Sequence, residues 1–390
     1  MGFLEGVTVI EISENISASA CTKWMAALGA EVIKIEPPGE GDTTRRMGPF
    51  PSDEPHPEKS GLFLYLNTGK KSVTLDLEKK EGREILAELL KKVHLLIEDL
   101  EIGRKKKFKI SYRKIEKEFP HLVYTSITPF GESGPYSRYK AEAIIMEAAS
   151  GMLLQHGSPE REPLKMGGHV IYYRAAASAF CGSIAALIYA EATGMGQKVE
   201  VSIQEVLLHD DFITIEAFLC RGEEIRRRFA PMLLPCEDGW FYIRAFPHEW
   251  PRLCKALGIE ELEKDERFLD MQKRAENAET LNQIVLNKLG NLKKEEIYHL
   301  LQKNRISAAY LASVEDVFWS EHYRTRGFFV TIDHPFAGAL EYPGSFASTD
   351  DVEWIHSRAP LLGEHTVEIL ENRLGYDKSS IVRLRQLGVI

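Results

Sequence analysis

The segment from Val7 to Glu36 constrains the fold more than any other, because it contains two strand patterns separated by one helix pattern. Val7–Ile12 (VTVIEI) and Glu31–Glu36 (EVIKIE) are short apolar segments of the kind found in β-strands. Between them, Ala18–Leu28 has helical spacing and ends at Gly29. This order of strand, helix and strand favours a parallel, Rossmann-like sheet.

Strand and helix patterns continue to alternate as far as Arg221 and then change in character. In the first region the further predicted strands are Lys71–Leu77, His94–Glu98, Leu122–Thr128 and Lys198–Ile203, and the further helices are Lys80–Lys92, Ala141–Leu154 and one from near Arg174. In the second region the predictions are a strand, Gly239–Ala245, and three helices, Trp250–Leu257, Ala275–Leu289 and Glu295–Lys303. A strand at Phe328–Ile332 and a turn at Pro343–Gly344 lead into the C-terminal segment. The chain is therefore expected to have an α/β fold with a second, smaller α+β domain.

Composition narrows the class of protein. A chain of 390 residues is long enough for two cores, and its net charge of −9 argues against a general nucleic-acid surface. The five cysteines form no CxxC pair, so neither a disulfide framework nor a metal site is expected. The first residues do not show the basic region followed by an apolar core that is typical of a signal peptide. We therefore expect a cytoplasmic protein. The charge-free run Ala175–Ala190 is short for a membrane span, which predicts a tightly packed buried helix and no membrane partner.

Five segments, taken together and in this order, resemble the class III CoA-transferase family, which includes formyl-CoA transferase, carnitine-type CoA-transferases and α-methylacyl-CoA racemase. The segments are GAEVIKIEPPGEGDTTRR (29–46), NTGKKSVTLDL (67–77), FGESGPY (130–136), TGMGQKVEVSI (193–203) and APLLGEHTVEIL (359–370). The resemblance implies a large Rossmann-like domain made of residues 1–221 and 331–390, with a small domain at 222–330. It also implies an interlocked-ring dimer and coenzyme A or acyl-CoA as substrate, with no permanently bound cofactor.

The resemblance implies catalysis by an aspartate, and this sequence lacks that aspartate. In the family the carboxylate attacks the acyl thioester, giving an anhydride and then an enzyme-bound thioester. Counting back from Gly194 by the family's spacing reaches Tyr172, and no Asp or Glu occurs between Glu162 and Glu191. A phenol, with an ordinary pKa near 10, cannot form an acyl anhydride. We interpret Tyr172 as a ring that fills the space of the lost carboxylate.

Two neighbouring residues are weaker catalytic candidates. His169 has the chemistry of a base, although a loop histidine is more often a solvated or packing residue. Glu142 stands where racemases of the family have a catalytic pair, but here the pair reads Glu142-Ala143. Glu142 is able to act as an acid or base, or simply to stabilise a helix start as an exposed glutamate.

The positions that the resemblance assigns to coenzyme A are mixed. Those that match are cationic or polar, as multiply charged phosphates require, whereas Asp99-Leu100 replaces a usual Asn-Phe and Pro38 replaces a frequent arginine. The KKKFK run that contains Lys107 is equally typical of a solvated charged face. The predicted coenzyme-binding residues are Ser17, Ala18, Asn67, Lys70, Lys71, Asp99, Lys107 and Lys140.

Three functional hypotheses follow from these residues. The first is a subunit without the nucleophile that pairs with a catalytic paralogue, an arrangement resembling the heteromeric benzylsuccinate CoA-transferase of anaerobic toluene degradation. The second is an active homodimeric transferase or acyl-CoA isomerase that uses another residue. The third is a non-catalytic CoA-binding or regulatory protein.

Overall fold

The computed structural model describes residues 2–224, 227 and 232–390, and these divide into two compact units. The first unit comprises 2–153, 165–224 and 327–390, and the second comprises 154–164 together with the described part of 225–326. The second unit thus includes the short segment Leu154–Leu164, which the sequence analysis assigns to the large domain.

The first unit is built on a six-stranded parallel sheet in the order β3-β2-β1-β4-β5-β6. Its strands are β1 (Thr8–Ile12), β2 (Glu31–Glu36), β3 (Lys71–Thr74), β4 (Leu95–Glu98), β5 (Val123–Thr128) and β6 (Lys198–Ser202). Its helices before the second unit are α1 (Ile16–Ala27), α2 (Gly61–Leu66), α3 (Lys80–Leu90), α4 (Ile102–Phe108), α5 (Tyr112–Glu118), α6 (Ala143–Ala149), α7 (Val170–Thr193), α8 (Ile203–Asp210) and α9 (Phe212–Arg221). The strand order reverses between β1 and β4, so their carboxyl ends meet at a switch point.

Both faces of this sheet are covered, because successive side chains of each strand point to opposite sides. Val9 and Val32 belong to one hydrophobic cluster, which includes buried residues of α1 and α7. Ile10 and Ile33, one residue further along, belong to the opposite cluster with α3 and the C-terminal helices. The predicted parallel sheet is confirmed.

A buried ion network lies within the sheet. The Glu11 carboxylate is 2.5 Å from the Lys34 amine and 2.8 Å from the Lys70 amine, and all three side chains are fully buried. These two cations hold the pKa of Glu11 well below its usual range although burial alone would raise it. Each charge therefore has a partner, as burial requires.

The second unit is a smaller α+β structure with its own core around Phe241, Leu253 and Leu281. It has a three-stranded antiparallel sheet, β7 (Leu233–Cys236), β8 (Gly239–Ile243) and β9 (Ala308–Tyr310), and helices α10 (Trp250–Leu257), α11 (Met271–Glu276), α12 (Ala278–Leu289), α13 (Lys294–Lys303), α14 (Val314–Trp319) and α15 (Glu321–Thr325). The chain then returns to the first unit with β10 (Phe329–His334), β11 (Gly338–Pro343), α16 (Thr366–Glu368) and α17 (Lys378–Gln386).

Several predicted boundaries are wrong for local reasons. The predicted helix Ala141–Leu154 is interrupted after α6, where Gly151 takes a positive φ of 84°. The predicted helix Ala275–Leu289 is two helices separated at Asn277. The turn predicted at Pro343–Gly344 falls where β11 ends, and the sequence analysis did not predict the hairpin turn at residues 335–337 that joins β10 to β11.

Helix α7 begins at Val170 and is only partly buried, which corrects the prediction of a tightly packed helix. Its buried residues recur at helical spacing and include Tyr172, Ala176 and Ala179. Its other face is exposed, with Ile188 63% and Tyr189 47% accessible. Within the part of the chain that is described, this is the one helix whose length and composition would allow it to cross a membrane.

Gly196, in the turn between α7 and β6, gives a testable prediction about stability. A Cβ atom there would lie 2.1 Å from the Leu122 carbonyl oxygen, so Gly196→Ala forces the backbone apart. We expect a loss of more than about 2 kcal/mol in the free energy of unfolding, measured with denaturant. Gly103→Ala is the control, since a Cβ at this helical glycine meets nothing within 4 Å. Equal stability of the two variants would contradict the packing described.

Candidate functional site

The candidate site begins at the turn between β1 and α1, at the switch point of the sheet. Asn15 caps α1, and its side-chain oxygen accepts a hydrogen bond from the Ile16 N–H at 2.8 Å. The first N–H groups of a helix have no partners within the helix, and they carry positive partial charge. In parallel α/β folds this is the usual place for an anionic ligand group.

Here an internal carboxylate, that of Asp99, occupies this place. Asp99 directly follows β4, and its oxygens accept hydrogen bonds from the backbone N–H groups of Glu14 at 2.8 Å, Asn15 at 3.2 Å and Ala18 at 3.0 Å. The Ser13 hydroxyl lies 3.2 Å from the same carboxyl group. The donors that would receive a ligand phosphate or oxyanion are therefore bonded within the chain.

Asp99 is half-buried, and its protonation is poised near neutrality. Burial is the main cause that raises the pKa of Asp99 to about 7, and the Asp42 charge adds to it. Hydrogen bonds from the Ala18 and Glu14 N–H groups act in the opposite direction.

Tyr172 lies beside this turn, in the first turn of α7, with 7% of its surface accessible. Its phenol group is within hydrogen-bonding reach of the Asn15 side chain and the Ala143 backbone. Burial, followed by the nearby charge of Glu142, raises the pKa of Tyr172, so the phenol stays protonated at neutral pH. The phenol is held as a neutral hydrogen-bonding group and not as a nucleophilic phenolate.

The two other catalytic candidates belong to the same cluster. Glu142 is exposed and caps α6, directly before Ala143. The His169 ring precedes α7 and lies 6.3 Å from the Tyr172 ring, measured between centroids. Burial and the charge of Lys165 lower the pKa of His169, which keeps its imidazole neutral at pH 7. The structure thus brings together Tyr172, Glu142, His169, Asp99 and Ala18, and we call these residues with Asn15 the Tyr172 cluster.

Ser17 also lies at this turn. It is almost fully buried, and its hydroxyl has no hydrogen-bond partner among the described residues. A buried hydroxyl without a partner is uncommon, so Ser17 is available as a donor beside the cluster.

Three other predicted coenzyme-binding residues are bonded within the fold of the first unit, and the Lys70 amine donates to the Ser19 carbonyl, next to Ala18. Asn67 and Lys70 are buried, and the Lys70 amine bonds to Asn67 at 2.9 Å and to Glu11 at 2.8 Å. Lys71 begins β3 and so lies at the amino end of its strand, whereas Asp99 lies at the carboxyl end of β4. The Lys71 amine is 2.8 Å from the Glu368 carboxylate. These three residues stabilise the fold of the first unit. Lys140 is exposed ahead of α6.

A cavity of about 320 Å³ opens at the carboxyl ends of β1 to β4, and we call it the carboxyl-edge cavity. Two arginines line it, Arg46 and Arg104, against six acidic residues. The acidic residues are Glu14, Glu36, Glu40, Asp42, Asp76 and Glu78. Lys107 pairs with Glu78 at 3.6 Å, so its charge is partly offset. Glu36 is paired with Arg45 and Asp42 with Lys34, so the remaining excess of carboxylates over cations is small.

Sequence reasoning missed two residues that shape the site. Asn15 caps α1 within hydrogen-bonding reach of the Tyr172 phenol, and its position before a helix after a strand is a recognisable N-cap signal. Lys105, within KKKFK, is buried and bonds to Glu98 at 2.6 Å and to Glu132 at 2.7 Å. Only the fold distinguishes this lysine from its exposed neighbours.

Comparisons with known proteins are consistent with this geometry. The family profile described as CoA-transferase family III matches residues 4–366. The succinyl-CoA:mesaconate CoA-transferase of Haloarcula hispanica is 30% identical over 95% of this chain and 96% of its own. The succinyl-CoA:(R)-benzylsuccinate CoA-transferase subunit BbsE of Thauera aromatica is 31% identical over 94% of this chain and 93% of its own. The crystal structure of a CAIB/BAIF family protein from Brucella suis is similar with a TM-score of 0.83 and 28% sequence identity. The match covers 95% of this chain and 99% of that protein.

The Asp99 interaction predicts a specific pH dependence of stability. Its pKa is 3.8 without the fold and about 7 within it, so the unfolded chain releases a proton that the folded chain keeps. Because of Asp99, the free energy of unfolding should therefore decrease as the pH rises from 4 to 7, by up to about 1 kcal/mol per pH unit. In urea unfolding, Asp99→Asn should lose this decline, while Asp350→Asn, on an exposed loop, should keep it. Parallel pH profiles for wild type and Asp99→Asn would contradict the prediction.

Proposed function

Because this chain belongs to CoA-transferase family III, we propose that it is the subunit of a heteromeric CoA-transferase that does not supply the attacking carboxylate. The partner is a paralogous chain with an aspartate at the position of Tyr172. The reaction moves coenzyme A from an acyl-CoA to a free carboxylic acid.

The observation that carries this proposal is the identity and state of Tyr172. The chain has no acidic residue between Glu162 and Glu191, and a neutral phenol occupies the start of α7. Acylation of a phenol would give an ester and not the anhydride that returns coenzyme A to a thioester. The ring is 7% accessible and belongs to the hydrophobic core of the first unit, which supports a packing role.

The electrostatics of the turn support the same proposal. The backbone N–H groups of Glu14, Asn15 and Ala18 are bonded to Asp99, and acidic residues outnumber arginines by six to two in the lining of the carboxyl-edge cavity. Tight binding of acyl-CoA phosphates requires several free donors and cations, and among the described residues this region offers few, chiefly the Ser17 hydroxyl and Arg46. The proposed partner supplies these contacts in its own site.

An unpartnered apolar surface supports association with a second chain. Exposed apolar side chains lie on the outer face of α7 and on α9, where Phe212, Ile213, Phe218 and Leu219 are between 51% and 74% accessible. Apolar patches of this kind mark interfaces between proteins. The similar protein BbsE is itself named as a subunit.

The proposed chemistry places every bond change on the partner. Its carboxylate oxygen attacks the thioester carbonyl carbon, and the coenzyme A thiolate leaves as a mixed anhydride forms. The thiolate then attacks the enzyme's acyl carbon, which releases the donor acid and gives an enzyme-bound thioester. The acceptor carboxylate attacks that thioester, which expels the thiolate and forms a second mixed anhydride between acceptor and enzyme. The thiolate then attacks the acceptor's acyl carbon, which releases the enzyme carboxylate and gives the product acyl-CoA. This chain contributes surface and shape to the complex.

Reconstitution tests the proposal. The chain and a paralogue with aspartate at the Tyr172 position are purified separately and after co-expression, and transfer from succinyl-CoA to a set of carboxylic acids is followed by chromatography. We expect the co-expressed complex to exceed the sum of the separate chains by about 100-fold or more. Tyr172→Phe in this chain should retain activity within about twofold, since the ring and not the hydroxyl is needed. Full activity of this chain alone would overturn the proposal.

A second candidate function is an active homodimer that uses Glu142 as its nucleophile. It is favoured by one observation, the position of this exposed carboxylate beside the Tyr172 phenol. On this candidate Glu142→Gln lowers transfer by the chain alone by about 1,000-fold, whereas Glu101→Gln, an exposed glutamate outside the cluster, leaves it unchanged. On the favoured proposal neither substitution changes the activity of the complex by more than about twofold.

A further inference from the structure

A second cavity, of about 220 Å³, lies in the first unit, and none of its lining residues belongs to the Tyr172 cluster. Its walls are mainly aromatic. Trp24 packs edge-on against Phe346 with ring centroids 5.6 Å apart, and Phe346 packs against Trp354 at 4.8 Å. Tyr65 lines the same space. We call this space the aromatic cavity.

A buried lysine opens into the aromatic cavity. Lys23, on α1, is 8% accessible; its amine donates to the Thr68 hydroxyl at 2.8 Å and lies 4.3 Å from the centre of the Tyr65 ring. Within residues 2–224, 227 and 232–390, no carboxylate lies within 4.0 Å of this amine. This contrasts with Lys34 and Lys70, whose charges are balanced by Glu11. A buried ammonium without an anion is unusual.

Trp354 provides a second and independent signal. Its indole nitrogen is buried and has no hydrogen-bond acceptor among the described residues. Trp354 lines the cavity together with Lys23. Two donors, one of them cationic, thus border one apolar space that offers no anion to receive them.

From this pairing of donors and aromatic walls we infer that the aromatic cavity binds a small aromatic monocarboxylate. The carboxylate accepts hydrogen bonds from the Lys23 amine and the Trp354 indole N–H. The aromatic ring of the bound acid packs between Trp24, Tyr65 and Phe346, where offset and edge-on contacts are favourable. A cavity of about 220 Å³ suits an acid with one ring and a short side chain. This inference does not rest on the proposed transferase role.

The state of Lys23 gives the binding a distinctive pH dependence. Burial, together with the charge of Lys70, lowers the pKa of Lys23 to about 7. The other titratable groups around the cavity are Tyr65, Tyr173 and His356, and burial together with the Lys23 charge lowers the pKa of His356. An anion bound at Lys23 favours the protonated amine, so affinity falls as the pH rises above 7.

The test is calorimetric titration of the full chain with 3-phenylpropanoate at pH 6.5 to 9, with 3-phenylpropan-1-ol as the neutral analogue. We expect saturable one-to-one binding of the acid, weakening by nearly tenfold per pH unit above about pH 8. The alcohol should bind about tenfold more weakly at pH 6.5. Equal affinity of 3-phenylpropanoate and 3-phenylpropan-1-ol at pH 6.5, or no binding of the acid at about 10 mM, would overturn the inference.

Matched variants locate the site. Lys23→Met keeps the length of the side chain and should weaken binding of 3-phenylpropanoate by about tenfold or more, while Trp354→Phe keeps a ring and should weaken it about threefold or more. Lys71→Met, at the amino edge of the sheet and outside the cavity, should leave the affinity unchanged. If Lys23→Met does not fold, the Trp354→Phe result and the pH profile decide alone. Unchanged affinity in Trp354→Phe with a flat pH profile would contradict the assignment.

Discussion

The hydrogen bonds between the Asp99 carboxylate and the backbone at the start of α1 fix the centre of this molecule. They join the end of β4 to the turn after β1, at the position where the strand order of the sheet reverses. The Asn15 N–H is one of the donors, and the Asn15 side chain lies within hydrogen-bonding reach of the Tyr172 phenol. The local geometry of the candidate site therefore depends on a single half-buried carboxylate.

The same carboxylate changes what the site is able to bind. In a parallel α/β fold, the switch point offers free N–H groups and a positive helix end to an anionic ligand. Here an internal anion receives those groups, and the adjacent cavity is lined by six acidic residues. Together with a neutral phenol at the start of α7, this electrostatic environment is the basis of the proposal that the chain is a supporting subunit.

Much of the fold was predictable from sequence because it depends on local patterns. The strands Glu31–Glu36 and Lys198–Ser202 and the helix Trp250–Leu257 follow from apolar spacing and flanking turns, and the family resemblance followed from five ordered segments. Features that depend on tertiary packing were not predictable. Lys70 was predicted to bind coenzyme A, but the fold carries its amine to Glu11, far away in sequence.

The candidate site was partly predictable for the same reason. The absence of an acidic residue near Tyr172 is visible in the sequence, whereas the contact between Tyr172 and Asn15 requires the strand order. Helix α7 shows the limit in the other direction. Its composition resembles that of a buried helix, and only the structure shows that Ile188 and Tyr189 lie on a face without a partner in this chain.

The central claim is that the covalent intermediate forms on a partner chain and not on this one. The most direct measurement is intact-mass analysis of the reconstituted complex, incubated with acyl-CoA, treated with borohydride to trap enzyme-bound thioester and then mapped by peptide mass spectrometry. The account predicts modification of the partner's aspartate peptide and none in peptides of this chain that contain Tyr172, Glu142 or His169. A modified residue in any of those three peptides would contradict it.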